Sequence, residues 1–165
     1  MKRSSLSVLF RKGQIAVRYA MALIVQLTLI SSAFGSLGGA LDSVQADQSR
    51  MMATIKTTDA RACSIYEITT PAGVVVREYV SASGRVFGVA WQGPFMPDMR
   101  QILGVYFQHF SAAAKGQRDR HSNRNLLLIS EPGIVVESGG HMRSYSGRAY
   151  DPGLLPEGVD ENDVR

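Results

Sequence analysis

Three histidines and one cysteine are the residues of this sequence best suited to catalysis or metal binding. A zinc centre needs imidazoles or thiolates brought to one face, as the i, i+4 pair of an HExxH helix does. His109, His121 and His141 show no such spacing, so no metal-binding residue is assigned. Nucleophilic catalysis needs a serine or cysteine beside a base. Ser138 stands three residues before His141 in Glu137-Ser138-Gly139-Gly140-His141, but without GxSxG or a strand–turn–helix context, and the two glycines fit a tight turn. Cys63 and His141 would make a thiol–base pair only if the fold joined them. Catalytic and cofactor-binding residues are therefore none. A non-enzymatic binding module is the leading expectation, and a small hydrolase or thiol enzyme using Cys63 or Ser138 with His141 is the alternative.

A second pattern concerns recognition. Arg77, Tyr79, Arg143 and Tyr145 lie two apart within each of two strand-like segments, and residues two apart on a strand share a face. Arginine offers planar donors and tyrosine an apolar surface, the combination that holds anions and sugars. These four residues are the candidate ligand-binding set, with an anionic glycan or an envelope protein as partner. The same residue types also cover outer sheet faces where nothing binds.

The elements that would position these residues follow from periodicity and punctuation. Segments 53–58, 62–69, 73–80 and 85–92 alternate and are separated by Pro71-Ala72-Gly73 and Ser81-Ala82-Ser83-Gly84, short turns that force antiparallel neighbours. In the fourth segment alternation puts Phe87, Val89 and Trp91 on one side. Gly93 and Pro94 stop the strand. Pro97 and Asp98 then open a helix whose apolar stripe is Met99, Ile102, Leu103, Tyr106, Phe110 and Ala113. Gly104 inside it reads as a point of close approach to a strand. Further strand segments run over 125–130, 133–138 and 141–150. The expected fold is α+β: a mainly antiparallel sheet of about six or seven strands, with one long helix (97–114) on one face, inserted between the fourth and fifth strands.

The domain plan is a leader over 1–35, an amino-terminal mature segment over 36–52, a single domain over 53–158, and an acidic, fraying tail over 159–165. Within 36–52, Leu41, Val44, Gln48 and Met51 with a capping Asp42 are compatible with a short helix. Lys2, Arg3, Arg11, Lys12 and Arg18 precede the apolar run 20–30 and then small residues, the pattern of a cleavable export signal. The run is 11 residues long, short of the roughly 20 that span a bilayer. Cleavage is expected after Gly35, or after Ala33. An uncleaved inner-membrane anchor through residues 20–35 is the alternative, and only then is a membrane a partner. The leader holds five of the 18 basic residues and none of the 14 acidic ones, so the rest has a net charge of −1 and nucleic acid is not an expected partner. A lone Cys63 closes no internal disulfide.

The stretches LGGALDSVQADQ (37–48), REYVSASGRVFGVAWQGPFMPDMRQILGVYF (77–107) and SGGHMRSYSGRAYDPGLLPEGV (138–159) resemble an uncharacterised family of exported proteobacterial proteins, a domain of unknown function. The resemblance covers nearly the whole mature chain and implies a mature part beginning near Leu37-Gly38-Gly39 in the periplasm or outside the cell. It implies no catalytic residue. Amino-terminal sequencing of protein recovered from periplasm or medium is predicted to begin at Ser36; an intact Met1 in the membrane fraction would mean an anchor.

Overall fold

Alternating side chains and short polar turns fold the chain into seven strands in the computed structural model, which describes residues 36–60, 62–119 and 126–165. The leader over 1–35 lies outside the described residues. The strands are β1 (Thr54–Asp59), β2 (Cys63–Thr69), β3 (Val75–Ser81), β4 (Val86–Gly93), β5 (Leu126–Glu131), β6 (Ile134–His141) and β7 (Ser144–Tyr150). They form one antiparallel sheet in the order β1-β2-β3-β4-β7-β6-β5. Two meanders meet at the β4–β7 pairing. The chain leaves β4, crosses through its helical segment to the far edge, and returns strand by strand.

Helix α1 (Leu41–Arg50) precedes the sheet. The helical segment after β4 corrects the expectation of one long helix over 97–114 in an α+β layer. The molecule is mostly sheet, and that segment is three short pieces: α2 (Met99–Leu103), a 3₁₀ turn (Gly104–Tyr106) and α3 (Phe107–Asp119). Asp98 caps α2 by accepting hydrogen bonds from the Arg100 and Gln101 amides at 2.9 and 3.4 Å. Gly104 causes the break: its φ of +51° and ψ of −122° are open to glycine and strained for other residues.

The two faces of the sheet carry separate cores. On the inner face Ile68, Val76, Val89, Trp91, Val136 and Ala149 pack with Val44 of α1 and with Ile102 and Leu103 of α2. On the outer face Tyr79, Phe87, Ala90 and Tyr150 pack with Val164. Simple alternation would put Phe87 beside Val89 and Trp91. The register shifts between Tyr79 and Val80, where Tyr79 opposes Gly88 and Val80 opposes Val86, and this bulge turns Phe87 to the other face.

Residues 151–165 run over that outer face. The acidic segment 159–165 contains a 3₁₀ turn (Glu161–Asp163) closed by a reciprocal Asp160–Asp163 capping box, and Val164 is fully buried. Val164 needs Gly88 beneath it, since a Cβ at that position would come within 2.9 Å of the valine. The described residues form one compact unit. Among the described residues no helix is long and apolar enough to cross a membrane.

Phe87→Ala and Trp91→Ala, one on each face, are each predicted to lower the unfolding free energy by about 3–5 kcal/mol in urea denaturation. A loss below about 1 kcal/mol at Phe87 would mean that the outer cluster is no core.

Candidate functional site

The centre of the inner face holds an acidic side chain between Val76 and Val80. Thr57, Tyr66, Glu78, Val89, Ala149 and Val136 form one row across the sheet, and Glu78 in its middle is 0% exposed. Asp47 of α1, also fully buried, faces it. The Asp47 Oδ1 atom accepts a hydrogen bond from the Gln101 side-chain amide at 3.0 Å, and Arg50 approaches the same atom at 3.9 Å from a half-exposed position. Asp47 Oδ2 and both Glu78 oxygens have no hydrogen-bond partner among the described residues.

Two ionised carboxylates are acceptors only, so neither can satisfy the other. One proton removes the conflict by turning Glu78 into a donor toward Asp47. Burial, and then the Asp47 charge, push the Glu78 carboxyl up to about 8. Burial raises Asp47 as well, opposed first by the Gln101 amide. In the chain with Ser36 in peptide linkage the pair therefore holds one shared proton, chiefly on Glu78, at neutral pH.

A strap of backbone closes over this pair. Ser36 is buried, and its hydroxyl donates to the Ile102 carbonyl at 2.9 Å while lying within reach of both carboxyls. The Leu37 amide donates to the same carbonyl at 3.1 Å, and Gly38 and Gly39 exchange hydrogen bonds with Val86 at 2.9 and 3.0 Å. Tyr106, placed by the turn that follows Gly104, lies against Gly38 and donates its hydroxyl to Asp151 Oδ2. Burial and that acidic partner push the Tyr106 phenol up to about 12.

The four expected ligand-binding residues are distributed over both faces. Arg77 pairs with Glu67 at 2.9 Å, and Tyr79, 2% exposed, donates to the Arg165 carbonyl at 2.5 Å and accepts from the Arg165 amide at 3.0 Å. Both thus hold the closing segment on the outer face. Arg148 does the same, gripping Glu137 at 2.9 Å and the Glu161 carbonyl at 2.8 Å, while Tyr150 donates to the Glu161 carboxylate at 2.5 Å. Tyr145 pairs with Gly93 and Gly140 on the opposite face from Arg77, and Arg143 occupies the β6–β7 turn at φ +65°. The structure unites Arg77 with Tyr79 and does not bring them to Tyr145.

Cys63 opens β2 and His141 ends β6, with β3, β4 and β7 between those strands, a span of roughly 19 Å at the usual strand spacing. Burial pushes the Cys63 thiol up, away from thiolate character. Ser138 is buried on the inner face, and His141, three residues on, is exposed. These three residues do not converge. His109 is exposed on α3, and His121 with the rest of 120–125 in the basic stretch lies outside the described residues. Among the described residues no group of three or more metal-ligating side chains is placed to hold an ion.

The fold and its sites define a small sheet domain with a buried acid pair and an outer face closed by its own last segment. The chain belongs to the family described as "Protein of unknown function (DUF2844)", whose model matches residues 33–164. Comparison with curated proteins and with solved structures gave no match.

The acid pair has a pH signature in the chain whose Ser36 nitrogen is still in a peptide bond. Because the Glu78 carboxyl is raised from its ordinary 4.5 to about 8, its stabilising proton is fully in place below about 4.5 and is lost as pH rises through 8. Thermal unfolding of that chain is predicted to show stability falling over this window, by at most roughly 1.4 kcal/mol per pH unit, and Glu78→Gln to flatten the fall. An unchanged slope in Glu78→Gln would mean that another group is responsible.

Proposed function

We propose that this protein is an exported, non-enzymatic binding module of the bacterial envelope that docks a partner protein through one end of its sheet. The observation that carries the reading is a group of exposed apolar side chains at that end. Met142 in the β6–β7 turn is 85% exposed, and Phe95 and Met96, just after β4, are 58% and 43% exposed. The Gly93–Tyr145 pairing brings the two segments to the same end, where Leu126 begins β5 opposite Gly139. Exposed apolar clusters of this kind mark interaction sites on otherwise polar surfaces. Arg143, between Met142 and β7, adds a cation for orientation.

Two further observations support the reading. The sequence of residues 1–35 has the form of an export leader, and Cys63, Ser138 and His141 are kept apart. An anionic glycan is the lesser ligand, because Arg77 and Tyr79 are engaged with the closing segment while Arg143 and Tyr145 stand elsewhere.

A photo-crosslinking side chain placed in living cells at Phe95 or Met142 is predicted to capture one defined envelope protein, the same from both sites. The same side chain at Lys56, on the outer face of β1, is predicted to capture none. Phe95→Ser with Met142→Ser should abolish growth of that adduct from Met96 while leaving the unfolding midpoint nearly unchanged, as exposed positions usually do. Equal capture from Lys56, or none from either rim site, would overturn the docking surface.

A further inference from the structure

Ser36, Asp47 and Glu78 are all fully buried, and three oxygens of the two carboxyls make no well-formed hydrogen bond among the described residues. The Ser36 hydroxyl lies within reach of both carboxyls, but its single proton is given to the Ile102 carbonyl. Its backbone nitrogen is three covalent bonds from that hydroxyl and so belongs to the same neighbourhood. Among the described residues the cation paired with this group is Arg50, half exposed and 3.9 Å from Asp47. Tyr66 and Val89, which flank Glu78 in its row, supply no cation. What the pocket lacks is a buried positive group with several donors.

Of the two cleavage positions the sequence offers, after Gly35 or after Ala33, the first would make Ser36 the first residue. We infer that this cleavage completes the buried site: it gives Ser36 a free α-ammonium group, which pairs with Glu78 and Asp47 and locks the strap, α1 and β3 together. Hydrolysis breaks the Gly35–Ser36 amide bond, with the hydroxyl of water going to the Gly35 carbonyl carbon and a hydrogen to the Ser36 nitrogen. The proton of the new acid passes to the amine, leaving a carboxylate on the released leader and an ammonium on Ser36. Three N–H donors then meet three unpartnered oxygens. The proton shared by the carboxyls leaves to solvent, and both ionise against Ser36 and Arg50. The domain is thus held loosely while the leader is attached and tightly once it is removed.

The pairing keeps the sign of the pH dependence and moves its window upward. An α-amino group ordinarily titrates near 8, and two carboxylates raise it. Its contribution is complete below about 8 and is lost as pH rises through the raised value. The inference rests on the export reading above, and the experiment separates the two.

The full-length chain is expressed with its leader, the processed product is recovered from the envelope, and its intact mass reports the first residue. It is compared with a chain carrying one alanine inserted between Gly35 and Ser36, which moves the ammonium by about 3.8 Å along the backbone, with Glu78→Gln, and with both changes together. The product is expected to begin at Ser36, the insertion to lower the thermal midpoint by about 5 °C or more, and the insertion to have no effect in Glu78→Gln. A product beginning at Phe34 or Met1 would overturn the cleavage itself. A Ser36 start with an unchanged midpoint on insertion, or with the same drop in Glu78→Gln, would leave the cleavage standing and overturn the pairing. Independently of the insertion, the midpoint of the processed chain is expected to fall more steeply than that of Glu78→Gln as pH rises above about 8, where the shared proton alone gives no further slope; parallel curves there would overturn the pairing too.

Discussion

A carboxyl at the centre of an apolar sheet face must find a proton or a cation, and in this protein that requirement organises the elements around it. An ionised Glu78 with no partner would cost several kcal/mol in its row between Tyr66 and Val89. The proton it shares with Asp47 removes that cost only while α1 sits over β3. Gln101 must also approach from α2 to hold Asp47. Apolar contacts would tolerate many placements of these short helices. A proton held between two named oxygens tolerates few, which is how buried polar groups confer specificity on an otherwise adaptable core.

The second constraint is the break at Gly104. A continuous helix from α2 into α3 would carry Tyr106 along the helical stripe. The 3₁₀ turn aims it at Gly38 and Asp151, joining the strap that covers the carboxyls to the start of the closing segment. From Asp151 that segment crosses the outer face, where Val164 seats on Gly88 and the Arg–Tyr pairs at 77/79 and 148/150 hold it. The two sheet faces are thus closed by opposite ends of the described chain, each through directional polar contacts laid over an apolar floor.

Much of this is legible in the sequence, and the parts that are not share a cause. Turn residues such as Pro71-Ala72-Gly73 and Ser81–Gly84 announce the strands because their effect is local. The single long helix fails because a stripe of apolar residues is read at one period, whereas Gly104 changes the backbone at a single residue without disturbing the stripe. Phe87 is misplaced because a bulge between Tyr79 and Val80 depends on the pairing of two strands. Glu78 was open to detection: it interrupts Val76 and Val80 on the buried face of β3, and a charge at a core position signals a partner elsewhere. The identity of that partner was not open, since Asp47 lies on a helix joined to β3 only through tertiary packing. The Arg–Tyr pattern was visible, but the closing segment that occupies Arg77 and Tyr79 could be known only from the fold.

These features make the chain a sheet domain with a buried acid pair on one face and a closing segment on the other. The rest depends on the Glu78 proton, held while Ser36 is in peptide linkage and, on the inference drawn above, given up when Ser36 becomes the first residue. Carbon-13 NMR of the glutamate side-chain carboxyls, followed through pH in the unprocessed and processed chains, reads that proton directly. The account predicts a Glu78 resonance, identified by its loss in Glu78→Gln, that titrates near 8 in the unprocessed chain and in the processed chain is already ionised at neutral pH. A Glu78 carboxyl that titrates at the same pH in both chains, or near the ordinary 4.5 in the unprocessed one, would contradict it.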